Sequence, residues 1–257
     1  MWKHLTRRIA RLLLKFTERL HANSKVVLIN LRNYLYFLDY EERATDVYLV
    51  SFPKSGTTWM QVILYNMLTD GDMEFDHIND VSPWISNEAF LGKPVSKTNA
   101  LPAPRIIKSH DKYDFFHKDI KGRFIFVYRD GKDVAASYFH HNKNYRDPDL
   151  TFDKNFEEHF VKGTGKEKQT WFTYNRDWFK NQHNLPILYV KYEDLKSDYD
   201  GTLRRIADYL GVELTPELKA KIAANSSFEY MKDNEEKFGV KEPKSQRLVF
   251  DNFIRKG

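Results

Sequence analysis

Between the apolar run Val47–Phe52 and the helix-like run Trp59–Leu68 lies a loop that carries Lys54, Ser55, Gly56, Thr57 and Thr58. A strand, a short loop and a helix in this order make an anion cradle. The first N–H groups of a helix have no intrahelical acceptor, and the helix dipole adds partial positive charge where they point. Gly56 allows close approach of backbone to ligand, and two hydroxyls with one ammonium complete a phosphate-sized site. A phosphorylated ligand is therefore expected. The loop departs from the nucleoside triphosphate pattern G-x-x-x-x-G-K-[ST]: Lys54 precedes Gly56 by two positions, and Ser51 stands where the first glycine belongs. A kinase or ATPase fits this loop less well than its general shape suggests.

Two further groups have the residue types of a reaction centre. Lys108-Ser109-His110 closes a short strand-like run that starts at Arg105. A histidine just past a strand, with an unperturbed pKa near neutrality, suits removal of a proton from a hydroxyl. Arg129 follows the buried-strand pattern Arg123–Tyr128, and Ser137 lies eight residues on, inside a helix-like stretch. The planar donor fork of arginine matches phosphate oxygens. His140 and His141 follow closely and are read as pocket or structural residues. No metal site is expected: the chain has no cysteine and no H-E-x-x-H motif.

Residues 52–59, FPKSGTTW, resemble the 5′-phosphosulfate loop of the cytosolic-type sulfotransferases, which use 3′-phosphoadenosine-5′-phosphosulfate (PAPS) as sulfuryl donor. Five other blocks resemble the same family, and the matched blocks run from Val47 to Gly257. Val127–Tyr138 implies that Arg129 and Ser137 bind the 3′-phosphate. Lys108-Ser109-His110 is similar to the family's Lys-Thr-His and implies His110 as catalytic base, with Lys108 holding the transferring group. Asp111-Lys112 replaces the family's Leu-Pro, so the loop towards the acceptor is expected to differ. Val190–Leu195 implies a place for Tyr192 near adenine. Ser226–Lys232, with Ser227 and Phe228, resembles the family's Thr-Ser-Phe segment and implies that Trp59 and Phe228 sandwich the base. Phe253–Gly257 implies that Arg255, Lys256 and Gly257 bind the 3′-phosphate. The family's Gly-Asp-Trp continuation and dimerisation segment do not follow in this sequence, which sets no oligomeric state.

The resemblance implies sulfuryl transfer from PAPS to an acceptor hydroxyl, or less often an amine, with adenosine 3′,5′-bisphosphate (PAP) as product. Lys54 and the loop N–H groups carry the charge, and no metal is required. The acceptor is expected to be small and apolar or lipid-like, because Trp84, Ile85 and Phe90, with Tyr113, Phe115, Phe116 and Phe139, lie in segments able to wall an apolar pocket. A P-loop kinase or other nucleotide phosphotransferase is the alternative, and a non-catalytic nucleotide-binding or membrane-docking module is a third reading.

These residues need a scaffold that brings loops together at one edge. With 257 residues and 41% hydrophobic content the chain can bury one large core. Strand patterns at Val47–Phe52, Arg105–Lys108, Arg123–Tyr128 and Ile187–Tyr192 alternate with helix patterns after Trp59, from Asp130 to about His141, over Glu167–Asn181, over Thr202–Leu210 and from Pro216. The order predicts a three-layer α/β/α fold with a mostly parallel central sheet and a P-loop-like phosphosulfate-binding loop. Residues 46–257 are expected to form this domain, and residues 1–45 a basic amphipathic helical segment. In residues 1–20, Leu5, Ile9, Leu12, Leu13, Phe16 and Leu20 recur at helical spacing among Lys3, Arg7, Arg8, Arg11, Lys15 and Arg19. This helix either packs on the domain or makes peripheral membrane contact. The formal charge of +5 suits an anionic ligand or an acidic surface, and no nucleic-acid module is present. With no secretory core and no apolar run of membrane-spanning length, cytoplasmic residence is expected.

Overall fold

In the computed structural model, residues 6, 9–14, 25–116, 119–163, 168–239 and 253–255 are described. Among them four strands form one parallel sheet: β1 (Val47–Ser51), β2 (Ile106–Ser109), β3 (Arg123–Tyr128) and β4 (Ile187–Lys191), in the order β2-β1-β3-β4. Each coincides with an expected strand to within a residue or so. The chain leaves β1 to one side for β2 and returns on the other for β3. The carboxyl end of β1 is thus a topological switch point, where open α/β sheets bind ligands.

Side chains alternate across a strand with period two, and the two faces of this sheet bury different cores. Tyr48 and Val50 of β1 and Phe124 and Phe126 of β3 join Tyr174 and Trp178 on one face. Val47 and Leu49, with Ile125 and Val127, meet Met60, Ile63 and Leu64 on the other. The helices α1 (Lys25–Asp39), α2 (Thr57–Leu68), α3 (Ile85–Leu91), α4 (Gly131–Tyr145), α5 (Trp171–Lys180), α6 (Tyr199–Leu210), α7 (Pro216–Asn225) and α8 (Phe228–Asp233) cover these faces. Helices α2, α6 and α7 line the second face, and α4 and α5 the first. This is the three-layer α/β/α architecture. The aromatic stripe of α5 is core, with Tyr174 and Trp178 fully buried.

Helix starts differ from the sequence pattern for local reasons. Helix α2 begins at Thr57, two residues before Trp59, because left-handed Gly56 already turns the chain into it. Asp130 caps α4 by accepting the Lys132 N–H at 2.8 Å, so its first helical residue is Gly131. Helix α4 also runs on to Tyr145, one turn past the expected end. Asp198 caps α6 through the Gly201 N–H, which moves that start back to Tyr199. Thr215 and Pro216 open α7 as cap and first-turn proline, as the sequence implies.

At the amino ends of β1 and β2, Arg105 grips both carboxylate oxygens of Asp46 at 2.8 and 2.7 Å, with neither side chain exposed. Such a pair gives little net stability but defines which strand ends meet. Helix α1 packs on α3, and its Tyr36 is buried in the first core. Residues 9–14 are helical, and Arg11 reaches Asp39 at 3.3 Å. Leu5, Phe16 and Leu20, with Lys3, Arg7, Arg8, Lys15 and Arg19, lie outside the described residues. No helix among the described residues is long and apolar enough to cross a membrane.

Candidate active site

The loop after β1 turns sharply onto α2. Lys54 has φ +71° and Gly56 φ +99°. The lysine conformation is costly for a residue with a Cβ and persists only because the surrounding fold imposes it. At Gly56 no side chain fits: a Cβ would lie 2.4 Å from the Tyr192 ring. The N–H groups of Gly56, Thr57, Thr58 and Trp59 find no backbone acceptor among the described residues, and they stand at the positive end of α2. Thr57 is fixed by a 2.6 Å hydrogen bond with Ser51.

This loop forms one wall of a cleft of about 1280 Å³. Lys54, Lys108 and His110 all line it, so residues 54 positions apart in sequence meet at adjacent strand ends. β2 pairs with β1 in parallel, with Ser109 opposite Val50, which puts His110 beside Ser51. The two lysines carry no carboxylate partner among the described residues. Lys54 lies 4.6 Å from the Phe253 ring centroid and Lys108 5.4 Å from that of Trp84. Burial pushes both ammonium groups down to about 8, and for Lys54 the charges of Lys108, Arg129 and Arg255 add to the effect. Uncompensated cations recessed in a cleft are a site built for an anion.

His110 is oriented on one nitrogen. Its Nδ1 lies 2.7 Å from the Ser51 carbonyl oxygen, which only accepts, so Nδ1 carries the proton and Nε2 the lone pair. Burial first, then Lys108 and Lys54, pushes its pKa down to about 3 against a smaller raising effect of the Ser51 carbonyl. The imidazole is therefore neutral and able to accept a proton. Trp84 packs edge-on against it, with centroids 5.0 Å apart. The departure at Asp111 has a visible role: its carboxylate accepts the hydroxyls of Ser86 and, at 2.5 Å, Ser109. That ties the His110 loop to the start of α3.

Just past β3, Arg129 stacks 4.1 Å above the Tyr192 ring and reaches Asp133 at 3.3 Å. Its Nε is buried with no partner. Arg129, Ser137, Tyr192, Trp59, Thr57, Thr58, Phe228 and Arg255 share the cleft with the lysines. Trp59 is held by its indole N–H, which donates to the Ser226 carbonyl at 2.8 Å. Phe228 is 44% exposed, enough to stack on a planar ligand.

Two expected residues are placed otherwise. The Ser227 hydroxyl accepts the Tyr230 N–H at 3.1 Å and caps α8, and it is the neighbouring Ser226 that lines the cleft, its own hydroxyl donating to the Ile222 carbonyl at 2.7 Å. The Ser55 hydroxyl is buried behind the loop, where it has no partner. Lys256 and Gly257 lie outside the described residues. The expected apolar wall is also corrected. Of its seven residues only Trp84 lines the cleft. Ile85, Tyr113 and Phe116 are core; Phe90 and Phe115 are exposed elsewhere; Phe139 packs against Phe152. Sequence reasoning missed Asn87, Tyr138, Tyr145 and Arg146. Steps of four along α4 from Ser137 would have reached His141 and then Tyr145.

The family model described as "Sulfotransferase domain" matches residues 44–257. The chain belongs to the sulfotransferase family. Mouse sulfotransferase 1B1 is 32% identical over 205 residues, 76% of this chain and 68% of its own. Rabbit amine sulfotransferase is 32% identical over 202 residues, 76% of this chain and 65% of its own. Dog sulfotransferase 1A1 is 32% identical over 232 residues, 85% of this chain and 77% of its own. Among solved structures, mouse sulfotransferase SULT7A1 complexed with PAP superposes with a TM-score of 0.64 at 26% identity, covering 84% of this chain and 78% of that one. Retinol dehydratase in a complex with retinol and PAP gives 0.65 at 25% identity, covering 85% and 75%. The reaction class of this sulfotransferase is PAPS-dependent sulfuryl transfer, and the kinase alternative is not supported.

The residues present fit a bisphosphorylated nucleotide at two points. The loop N–H groups and the unpaired Lys54 suit a 5′-phosphosulfate. Arg129, with a buried Nε still lacking an acceptor, and Ser137 suit a second phosphate in the same cleft.

Proposed function

We propose that this sulfotransferase moves the sulfuryl group of PAPS onto a hydroxyl of a small-molecule acceptor, with His110 as the general base. The observation that carries this reading is the His110–Ser51 hydrogen bond, which leaves a neutral imidazole with its Nε2 lone pair in a cleft lined by two uncompensated lysines. His110 takes the acceptor proton. Lys54 stands at the loop and neutralises charge that develops on the bridging oxygen as it departs. Lys108 steadies the sulfuryl oxygens. Arg129, Ser137 and Arg255 hold the 3′-phosphate, and Trp59, Tyr192 and Phe228 hold the adenine. Bound there, PAPS supplies an activated sulfuryl group. Rate enhancement in such a site comes from positioning and from preorganised charge.

Calorimetric titration tests the nucleotide half. PAP is expected to bind, and ATP with Mg²⁺ to bind much more weakly. Arg129→Ala is expected to weaken PAP roughly ten- to hundredfold, the worth of about 1.5–3 kcal/mol for hydrogen bonds to a charged group. Preference for ATP with Mg²⁺ would overturn the assignment.

We also propose peripheral membrane contact through residues 1–20. Its support is the exposure of Ile9, Leu12 and Leu13, at 49%, 67% and 47%, within the helical stretch 9–14. Flotation with anionic liposomes is expected to carry the full chain and not a chain lacking residues 1–20. Equal flotation of the two would end this proposal.

A further inference from the structure

A single hydrogen bond leaves a ring free to swing about it. The Ser51 carbonyl holds His110 Nδ1 at 2.7 Å, and the second restraint on the imidazole is Trp84, edge-on at 5.0 Å. Trp84 also meets the other cationic partner of the site, with its ring centroid 5.4 Å from the Lys108 ammonium. Its backbone forms a parallel bridge with Lys108, and the Lys108 N–H donates to the Pro83 carbonyl at 2.9 Å. Trp84 is thus a common neighbour of the base and of one lysine.

Trp84 is the N-cap residue of α3, and its side chain makes no capping hydrogen bond. A helix of 7 residues without a cap is marginal by itself, yet α3 carries Asn87, Glu88 and Leu91 on the cleft wall. Its first turn is tied down by Ser86, whose hydroxyl donates to the Asp111 carboxylate. The same carboxylate accepts the Ser109 hydroxyl at 2.5 Å, and the Asp111 N–H donates back to that oxygen at 2.9 Å. Asp111 follows His110 directly. One side chain therefore joins the residue after the base to the helix that starts at the base's packing partner. Asp111, Ser86 and Ser109 are not among the residues that line the cleft. The arrangement has a cost. The carboxylate's partners are two hydroxyls and no cation among the described residues, and burial pushes its pKa up. The Leu-Pro of the family pattern would carry no such cost and could make no such tie.

We propose that Asp111 is a positioning residue: through Ser86 it sets the start of α3, and with it Trp84, against the His110 imidazole, so that Nε2 keeps one direction towards the acceptor. The proposal rests on the reading of His110 as the base and concerns what holds that base in place. It acts on the transfer step and leaves nucleotide binding alone, because Arg129, Ser137 and the phosphate loop lie on other elements.

The test uses the full chain and needs no acceptor for its first reading. Diethyl pyrocarbonate acylates an accessible neutral imidazole nitrogen, and peptide mass spectrometry follows each histidine separately. Asp111→Leu and Ser86→Ala are expected to release Trp84 and to raise the His110 rate several-fold, while the exposed His183 keeps its rate. Asp111→Asn, whose side chain can still bond both serines, should stay at the wild-type rate. The double variant Ser86→Ala with Asp111→Leu should react no faster than Asp111→Leu, since both remove one tie. Turnover with PAPS is then read with 4-nitrophenol, 2-naphthol and 1-butanol, using whichever the wild type sulfates fastest. Asp111→Leu is expected to lower kcat by about 10- to 100-fold, the cost of a misplaced reacting group, and Asp111→Asn to recover it. PAP affinity by calorimetry should hold throughout. If Asp111→Leu does not fold, Ser86→Ala against Asp111→Asn decides. His110 rates in the Leu and Ala variants no higher than in the wild type overturn the proposal. So does an Asn variant that behaves like the Leu variant, which would assign the effect to charge, and so does PAP affinity that falls in step with kcat. Failure of the wild-type chain to bind PAP would overturn the sulfotransferase reading instead, and the His110 rates would still decide the tie.

Discussion

His110→Ala is expected to lower kcat by about 10²- to 10⁴-fold, the range for removal of a general base, while PAP affinity changes little. The base has no substitute in the same orientation. His141 also lines the cleft, but its ring belongs to α4 and lacks the carbonyl contact that fixes the His110 tautomer. Single-turnover sulfation with saturating PAPS separates the chemical step from nucleotide binding. An unchanged single-turnover rate would remove His110 from the mechanism.

The pH dependence has a defined sign. With its pKa pushed down to about 3 in the free enzyme, His110 keeps its lone pair far below the ordinary histidine range. The acid limb of kcat/KM, which reports the free enzyme, is therefore expected well below pH 6.5. A bound anionic donor offsets Lys54 and Lys108 and raises the histidine pKa, so the acid limb of kcat is expected at higher pH than that of kcat/KM. Stability is linked to the same group. Its folded pKa lies below its unfolded value, so the stability it permits is complete above pH 6.5. As pH falls below that value the unfolded chain takes up a proton that the folded site refuses, and stability is lost. His110→Ala should flatten this part of the denaturation profile.

The sheet was legible in the sequence because each strand is a short apolar run with turn residues on both sides. The alternation of Val47 and Leu49 with Tyr48 and Val50 goes to two different cores, which only a sheet covered on both sides requires. The phosphate loop was legible because backbone geometry restricts it: Gly56 is the one residue type that fits against Tyr192. Lys108 and His110 were legible from a short motif, and their meeting with Lys54 follows from parallel pairing of β1 with β2. The acceptor wall was not legible. Aromatic residues at 113, 115 and 116 look alike in sequence, yet Tyr113 and Phe116 point into the core against Trp178 while Phe115 faces out. No local periodicity distinguishes them, because a 3₁₀ turn and an irregular loop set their directions. Ser226 and Ser227 were not separable in the sequence for a similar reason. Two adjacent serines look equivalent in sequence, yet the Ser227 hydroxyl caps α8 while the Ser226 hydroxyl is buried between the Ile222 carbonyl and the Tyr199 hydroxyl.

Lys54→Ala is expected to separate stability from activity. The folded pKa of Lys54 is about 8, below its ordinary value, so at neutral pH the protein holds a desolvated cation that the unfolded chain would hold at less cost. Removing it should stabilise the PAP-free protein by on the order of 1 kcal/mol, after allowance for the lost contact with the Phe253 ring. The backbone adds no bias, because alanine and lysine are equally disfavoured at φ +71°. Activity should move the other way. Loss of one preorganised charge at the departing oxygen typically costs about 10²- to 10³-fold in kcat. Saturating PAP should then invert the order of stability. Ligand at a hundred times its Kd adds about 2.7 kcal/mol to the wild-type chain, and less to a variant that binds more weakly. Thermal unfolding with and without PAP checks both signs. A PAP-free variant that melts below the wild type would show that Lys54 is held by a compensating contact. A variant with undiminished kcat would show that the charge on the departing oxygen is met by Lys108 and the α2 N–H groups alone.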